Sequence, residues 1–162
     1  MSEIERLRER VERVRSEYAA LPRDGWGELG APDERTGERW DRGHVLGHVA
    51  EMLPYWIAQV QTVLEGSALI GRDEAGSARR RRGIDTGRDE GEEGLLRSVD
   101  AGMEGLLALL AGMRDADLER RVMRHLPEGE EEADLGTQIE DLLVGHAERH
   151  LRQLRELGAV SG

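Results

Sequence analysis

Residues 141–154 read DLLVGHAERHLRQL. Widened by a few positions, the segment carries a stripe of Ile139, Leu142, Leu143, His146, His150, Leu154 and Leu157. Apolar residues at three- and four-residue spacing specify a helix with one buried face. Residues i and i+4 project from the same side of such a helix, one turn apart. Two imidazoles therefore stand where core residues are expected. A buried polar ring needs a partner, so the pair requires either hydrogen-bonding neighbours or a metal ion.

Working outward, three more helices carry the same pattern. The first begins at Ser2 with Glu5 three residues on, a capping-box arrangement, and its stripe is Ile4, Leu7, Val11, Val14, Tyr18 and Leu21. The glycine- and proline-rich stretch 22–40 follows as a loop. Asp41 is a good N-cap for a second helix through Val45, His48, Val49, Met52, Trp56, Val60 and Val63 to Gly66, kinked where Pro54 removes a backbone donor. A third runs from Glu92 to Met113 on Leu96, Val99, Met103, Leu106 and Leu110, with Gly94, Gly102 and Gly105 weakening it or admitting a close neighbour. The last is capped by Thr137 with Glu140 and stops at Gly158. Residues 66–90, without an apolar period, read as a long loop able to cover the end of the bundle, and 114–136 as irregular. No strand is predicted. Four amphipathic helices define an all-α, four-helix bundle with long loops, and residues 1–162 read as one domain.

Composition narrows the function classes. A formal net charge of -11 argues against nucleic acid or an anionic membrane as partner. The run of four arginines at 79–82 is hemmed in by acidic residues and reads as a solvated loop, with an anion-binding arm as the alternative. The chain has no cysteine, so disulfides and thiolate ligands are excluded. No apolar run approaches the roughly 20 residues of a membrane span, and the N-terminus has no leader pattern, which gives a cytoplasmic expectation. Arginine replaces lysine throughout, a bias that suits a GC-rich bacterial genome and says nothing about chemistry.

On the second helix His48 lies on the inward stripe, and His44, one turn before it, is a further candidate for that face. If that helix neighbours the last one, three imidazoles converge in the bundle interior. Three neutral imidazoles suit a divalent transition metal such as zinc, nickel or iron, and leave a coordination position open for water or substrate, as in catalytic sites. The competing reading is a set of core histidines satisfied by carbonyls or carboxylates.

The segment WDRGHVLGHVAEM, 40–52, resembles the first signature of the DinB/YfiT-like superfamily, with Trp40 eight residues before His48. GHAERHLRQL, 145–154, resembles the second, as His146, His150 and Gln153. The two lie in the expected order about 100 residues apart, and with the flanking helices the resemblance spans essentially the whole chain. It implies an up-and-down-type bundle with a metal site of His48, His146 and His150. The superfamily includes transferases that use mycothiol, bacillithiol or glutathione, a mycothiol-dependent maleylpyruvate isomerase and metal-dependent hydrolases, and many members are dimers. Two departures stand out: Asp41 replaces the usual Ser or Thr, and His44 is not required. Ending at Gly162, the chain is expected to lack the isomerase's extra C-terminal domain and that activity.

The resemblance implies transfer of a low-molecular-weight thiol, mycothiol or bacillithiol, to an electrophilic small molecule, by a homodimer. A hydrolase using metal-bound water and a non-catalytic metal- or ligand-binding stress protein are the alternatives. Glu51, three residues after His48, and His44 are the candidate catalytic groups. Glu51 is placed to hydrogen-bond a metal-bound water or orient an imidazole, the alternative being a surface carboxylate. His44 reads as exposed or as a base beside the ligands rather than a fourth ligand. Gln153 is assigned to packing or to supporting a ligand rather than to catalysis, Trp40 and Trp56 to the core with a substrate platform as the alternative, and His125 to the surface.

Overall fold

The first helix, α1 (Glu3–Ala19), starts as the sequence predicts: the Ser2 hydroxyl accepts from the Glu5 N–H and the Glu5 carboxylate takes the Ser2 N–H at 2.7 Å. α2 (Arg42–Leu64) is capped by Asp41, which accepts from the His44 N–H at 2.9 Å. Its helical assignment runs without interruption through the exposed Pro54, whose missing donor falls on the solvent side. α4 (Gly91–Ala111) is the third bundle helix. A Cβ at Gly102 would lie 2.8 Å from Leu53 Cβ, so this glycine lets α4 approach α2 closely. The fourth bundle helix has three parts: α5 (Leu135–Ile139), a π-helical turn (Glu140–Val144) and α6 (Gly145–Ser161). The computed structural model describes residues 1–23 and 25–161, excepting the side chains of 158–161.

The chain is mostly helical with one apolar core, but several expectations are corrected. α1 and α2 each pack against both α4 and the last helix, while α1–α2 and α4–α6 are not principal neighbours. Helices consecutive at those two points sit diagonally, unlike an up-and-down order. That is why the connections 20–41 and 112–134 are long. The last helix is capped not by Thr137 but by Asp134, which accepts the Thr137 N–H at 2.7 Å, and it continues past Gly158. Its two ends are joined by the π turn, in which the Gly145 N–H reaches back to the Glu140 carbonyl. Such an inserted residue rotates the succeeding turns about the helix axis.

The segment 66–90 is not a loop. It holds strand β1 (Leu69–Gly71), helix α3 (Glu74–Thr86) and a 3₁₀ turn (Gly87–Glu90). α3 lies on α2 backbone to backbone. A Cβ at Gly47 would meet the Gly83 carbonyl oxygen at 2.2 Å, and one at Gly87 would meet Gly47 Cα at 2.8 Å. Ile84 is its one buried apolar side chain, so no stripe announces it. The stretch 114–136 holds a 3₁₀ turn and the hairpin β2 (Arg121–Leu126) to β3 (Gly129–Asp134), with β1 parallel to β2. β3 is so polar that alternation is invisible; its pairing is reinforced by ion pairs such as Arg124–Glu131 at 3.4 Å. No helix among the described residues is long and apolar enough to cross a membrane.

Candidate metal centre

His48 projects from the second turn of α2, and His146 and His150 from the first two turns of α6. One ring nitrogen from each lies within 4.8 Å of the other two. The buried stripe of the last helix is centred on Leu143, Val144, Ala147, Leu151 and Leu154. The two histidines flank that stripe and are half-buried, whereas His48 is only 2% exposed. The imidazoles therefore stand at the margin of the core, where they floor a cleft of about 350 Å³. Margin placement is what allows a small molecule to reach them.

Several contacts hold the last helix in this rotation. The buried Tyr18 hydroxyl of α1 donates to the Ala147 carbonyl at 2.7 Å, between the two histidines. Arg10 grips Glu140 through both carboxylate oxygens at 2.7 and 2.8 Å and also pairs with Glu148. Glu140 and Glu148 lie on either side of the π turn's end, so α1 braces the irregularity from outside. Gly145 is required there: a Cβ would lie 2.8 Å from the Glu140 carbonyl oxygen.

The ring nitrogens are spaced to suit a cation. His48 Nε2 and His146 Nε2 are 3.2 Å apart. A tetrahedral zinc with nitrogens at about 2.0–2.1 Å separates them by about 3.4 Å, so this pair already has the spacing of two ligands. His150 Nδ1 is 2.9 Å from Gln153 Oε1. With the amide oriented so, Nδ1 carries the proton and the lone pair is left on Nε2, which is buried with no hydrogen-bond partner. Trp40 lines the cleft; its ring stacks on His150 at 6.2 Å and meets His48 edge-on at 5.6 Å. Trp40 is partly buried against the core, as the sequence predicts, and its ring also walls the site. Trp56 is buried as expected.

All three imidazoles are held neutral. Burial pushes His48 far below the usual imidazole range, helped by the charges of His150, His146, Arg80 and Arg72. Burial takes His146 down to about 3, with His150, Arg149 and Arg80 adding to it against the Leu142 carbonyl. Burial takes His150 down to about 4, opposed by Gln153 and assisted by Arg149 and Arg80. A neutral ring with a free lone pair is the form that binds a metal.

The two candidate catalytic groups are engaged elsewhere. Glu51 does not line the cleft and is not a surface carboxylate: Arg72 holds both its oxygens at 2.7 and 3.0 Å, with Arg79 at 3.3 Å. Its carboxylate anchors α3 and β1 to α2. His44 does not join the cluster; its Nδ1 accepts the Asp41 N–H at 3.0 Å and completes the α2 cap. In return burial raises the Asp41 carboxyl, but the His44 N–H and Arg88 outweigh it and the net shift is downward. His125 is exposed on β2. The cleft wall also recruits residues that no spacing singled out: the turn at Asp33–Glu38, and Arg80 from α3. Asp33 Oδ1 builds that turn by accepting the Arg35 and Thr36 N–H groups at 2.9 and 2.8 Å.

No family model, curated protein or solved structure matches the chain. The fold and site together define a helical bundle with a three-histidine cluster at the floor of a cleft, a group able to hold a metal ion.

Proposed function

We propose that the chain is a metal-dependent enzyme of the DinB-like kind, which transfers a low-molecular-weight thiol to an electrophilic small molecule at His48, His146 and His150. The observation that carries the reading is the convergence of three neutral imidazoles, one with an orphaned Nε2, beneath an open cleft. A zinc, nickel or iron ion bound there supplies a Lewis acid that lowers the pKa of a coordinated thiol or water to near neutrality. The protein's own part is to hold the rings. Gln153 sets the His150 tautomer, Trp40 shields two rings from water, and the π turn aims α6. The absence of cysteine fits, because the sulfur nucleophile arrives with the co-substrate. Its S–H proton would pass to solvent water. The S–C bond forms as the carbon–leaving-group bond breaks and the group departs with the electron pair, or, for an epoxide, as a C–O bond breaks and the oxygen takes a proton from water.

Hydrolysis is the less favoured reading. It calls for a general base, and Glu51 and His44 are committed to Arg72 and to the α2 cap. Mycothiol and bacillithiol are the thiols to try first, and a homodimer is the proposed assembly. The test is metal content by mass spectrometry on untagged protein, beside the His146→Ala, His150→Ala double variant. About one transition-metal ion per chain in the parent and none in the variant is expected. A parent that takes up no zinc, nickel or iron sinks the enzyme reading and leaves a bundle with core histidines. Electrophile loss that proceeds equally without thiol would shift the assignment to hydrolysis.

A further inference from the structure

The four arginines of α3 have different fates. Arg79 lies against Glu51 and 5.5 Å from the Tyr55 ring centre. Arg81 pairs with Glu38 at 3.1 Å and Asp85 at 3.6 Å. Arg82 is exposed. Arg80 is half-buried on the cleft wall, facing the same space as His48, His146 and His150, and has no ion pair or hydrogen bond among the described residues. Its charge reaches all three imidazoles. Burial, with Arg72 and Arg81, holds it below the ordinary arginine range despite Glu38 and Glu51.

A guanidinium withdrawn from water without a counter-ion is costly, and a removed charge is normally paired. The acids lining the cleft do not serve. The Asp33 oxygen that faces its turn is occupied by two backbone N–H groups, and Glu38 is turned to Arg81. A divalent ion on three neutral imidazoles would bring a double positive charge with no carboxylate ligand to offset it. Arg80 and such an ion, on a cleft whose rim also carries Arg35, leave a complementary space for an anion. Arginine's planar fork matches a carboxylate or phosphate through two parallel hydrogen bonds.

We propose that Arg80 is the anion subsite of this cleft, pairing with a carboxylate or phosphate carried by the ligand whose donor atom is directed at His48, His146 and His150. The second half rests on the metal-site reading; the first half stands on the unpaired guanidinium alone. Arg80 thereby selects co-substrates with an oxyanion a few atoms from the reacting sulfur and orients them across the cleft.

Two measurements separate the halves. Metal-free protein is titrated with inorganic phosphate by calorimetry, in the parent and in Arg80→Gln and Arg82→Gln. Arg80 makes no ion pair among the described residues, so its replacement is expected to preserve the fold, which circular dichroism checks. Phosphate binding weakened at least about fivefold by Arg80→Gln and little by Arg82→Gln is expected; equal binding in all three, or none in the parent, overturns the anion subsite. Cobalt-loaded protein is then titrated with 3-mercaptopropionate and with 3-mercaptopropanol, following the sulfur-to-cobalt absorption band. Arg80→Gln should cost the carboxylate thiol about tenfold in affinity and leave the alcohol unchanged. A preference that survives Arg80→Gln reflects chelation by the metal and overturns the role. Absence of any sulfur band, with the phosphate result intact, would overturn the thiol reading and the directed-ligand half while leaving Arg80 as an anion site.

Discussion

The last helix and α3 flank the same cleft and are held to the bundle by opposite means. The last helix is seated by apolar side chains, Leu143, Val144, Ala147 and Leu151, and by the Tyr18 hydroxyl. α3 is seated by glycine contacts at Gly47, Gly83 and Gly87, one buried isoleucine, and the Glu51–Arg72–Arg79 cluster. Side-chain packing pins imidazoles to fixed positions, which a metal site requires. Backbone packing brings one arginine of the run, Arg80, to the cleft with almost no apolar burial. Elements with few apolar contacts open at the lowest free energy, so α3 is expected to be the more readily displaced wall and the last helix the more fixed one.

Acid tests the fixed wall most severely. In metal-free protein His146 and His150 titrate near 3 and 4 when folded, below the ordinary 6.5. As pH falls below 6.5 the unfolded chain therefore binds protons that the folded chain refuses. The stability present above 6.5 is lost on the way down, at up to about 1.4 kcal/mol per pH unit for each histidine. Denaturant midpoints between pH 7 and 5 should fall accordingly, and His146→Gln, His150→Gln should flatten the slope. An unchanged slope in that variant would show that the cluster is not what senses acid.

Next in size, Gly47→Val strikes the movable wall. Its new side chain meets the Gly83 carbonyl, and overpacking against backbone costs about 3 kcal/mol or more unless α3 lifts away. Faster amide exchange confined to 74–86, with metal binding kept, would confirm that α3 detaches as a unit. Global unfolding would instead make the two walls equally integral. Glu51→Gln is milder: it removes the counter-charge of Arg72 but keeps an acceptor oxygen, and should cost about 2 kcal/mol, less than outright loss of a buried partner. A change in metal stoichiometry on this substitution would return Glu51 to the site.

The smallest effect is at Gln153. Gln153→Ala frees the His150 ring, and loss of such an orienting hydrogen bond weakens metal affinity about tenfold or somewhat more. Stability of the metal-free form should barely move, and zinc competition with a chromogenic chelator reads the difference. No change in affinity would mean that the tautomer is set by something other than Gln153.

The four bundle helices, the Ser2 and Asp41 caps, and the pairing of His146 with His150 were legible in the sequence. Each depends on residues within a turn or two of one another, where spacing alone decides which side chains share a face. The hydrogen bond from His150 to Gln153 belongs to the same local order, three residues apart. Glu51 and His44 show where that reasoning stops: both have the right spacing, yet each is engaged by a partner that spacing does not rank. The diagonal order of the helices, the sheet, α3 and the place of Arg80 were decided only by the tertiary structure. Glycine contacts between segments about 40 residues apart leave no periodicity, β3 is charged on both faces, and the π turn changes a helix's facing without changing its composition. Local patterns determined which side chains a helix could present; long-range backbone contacts decided what they face.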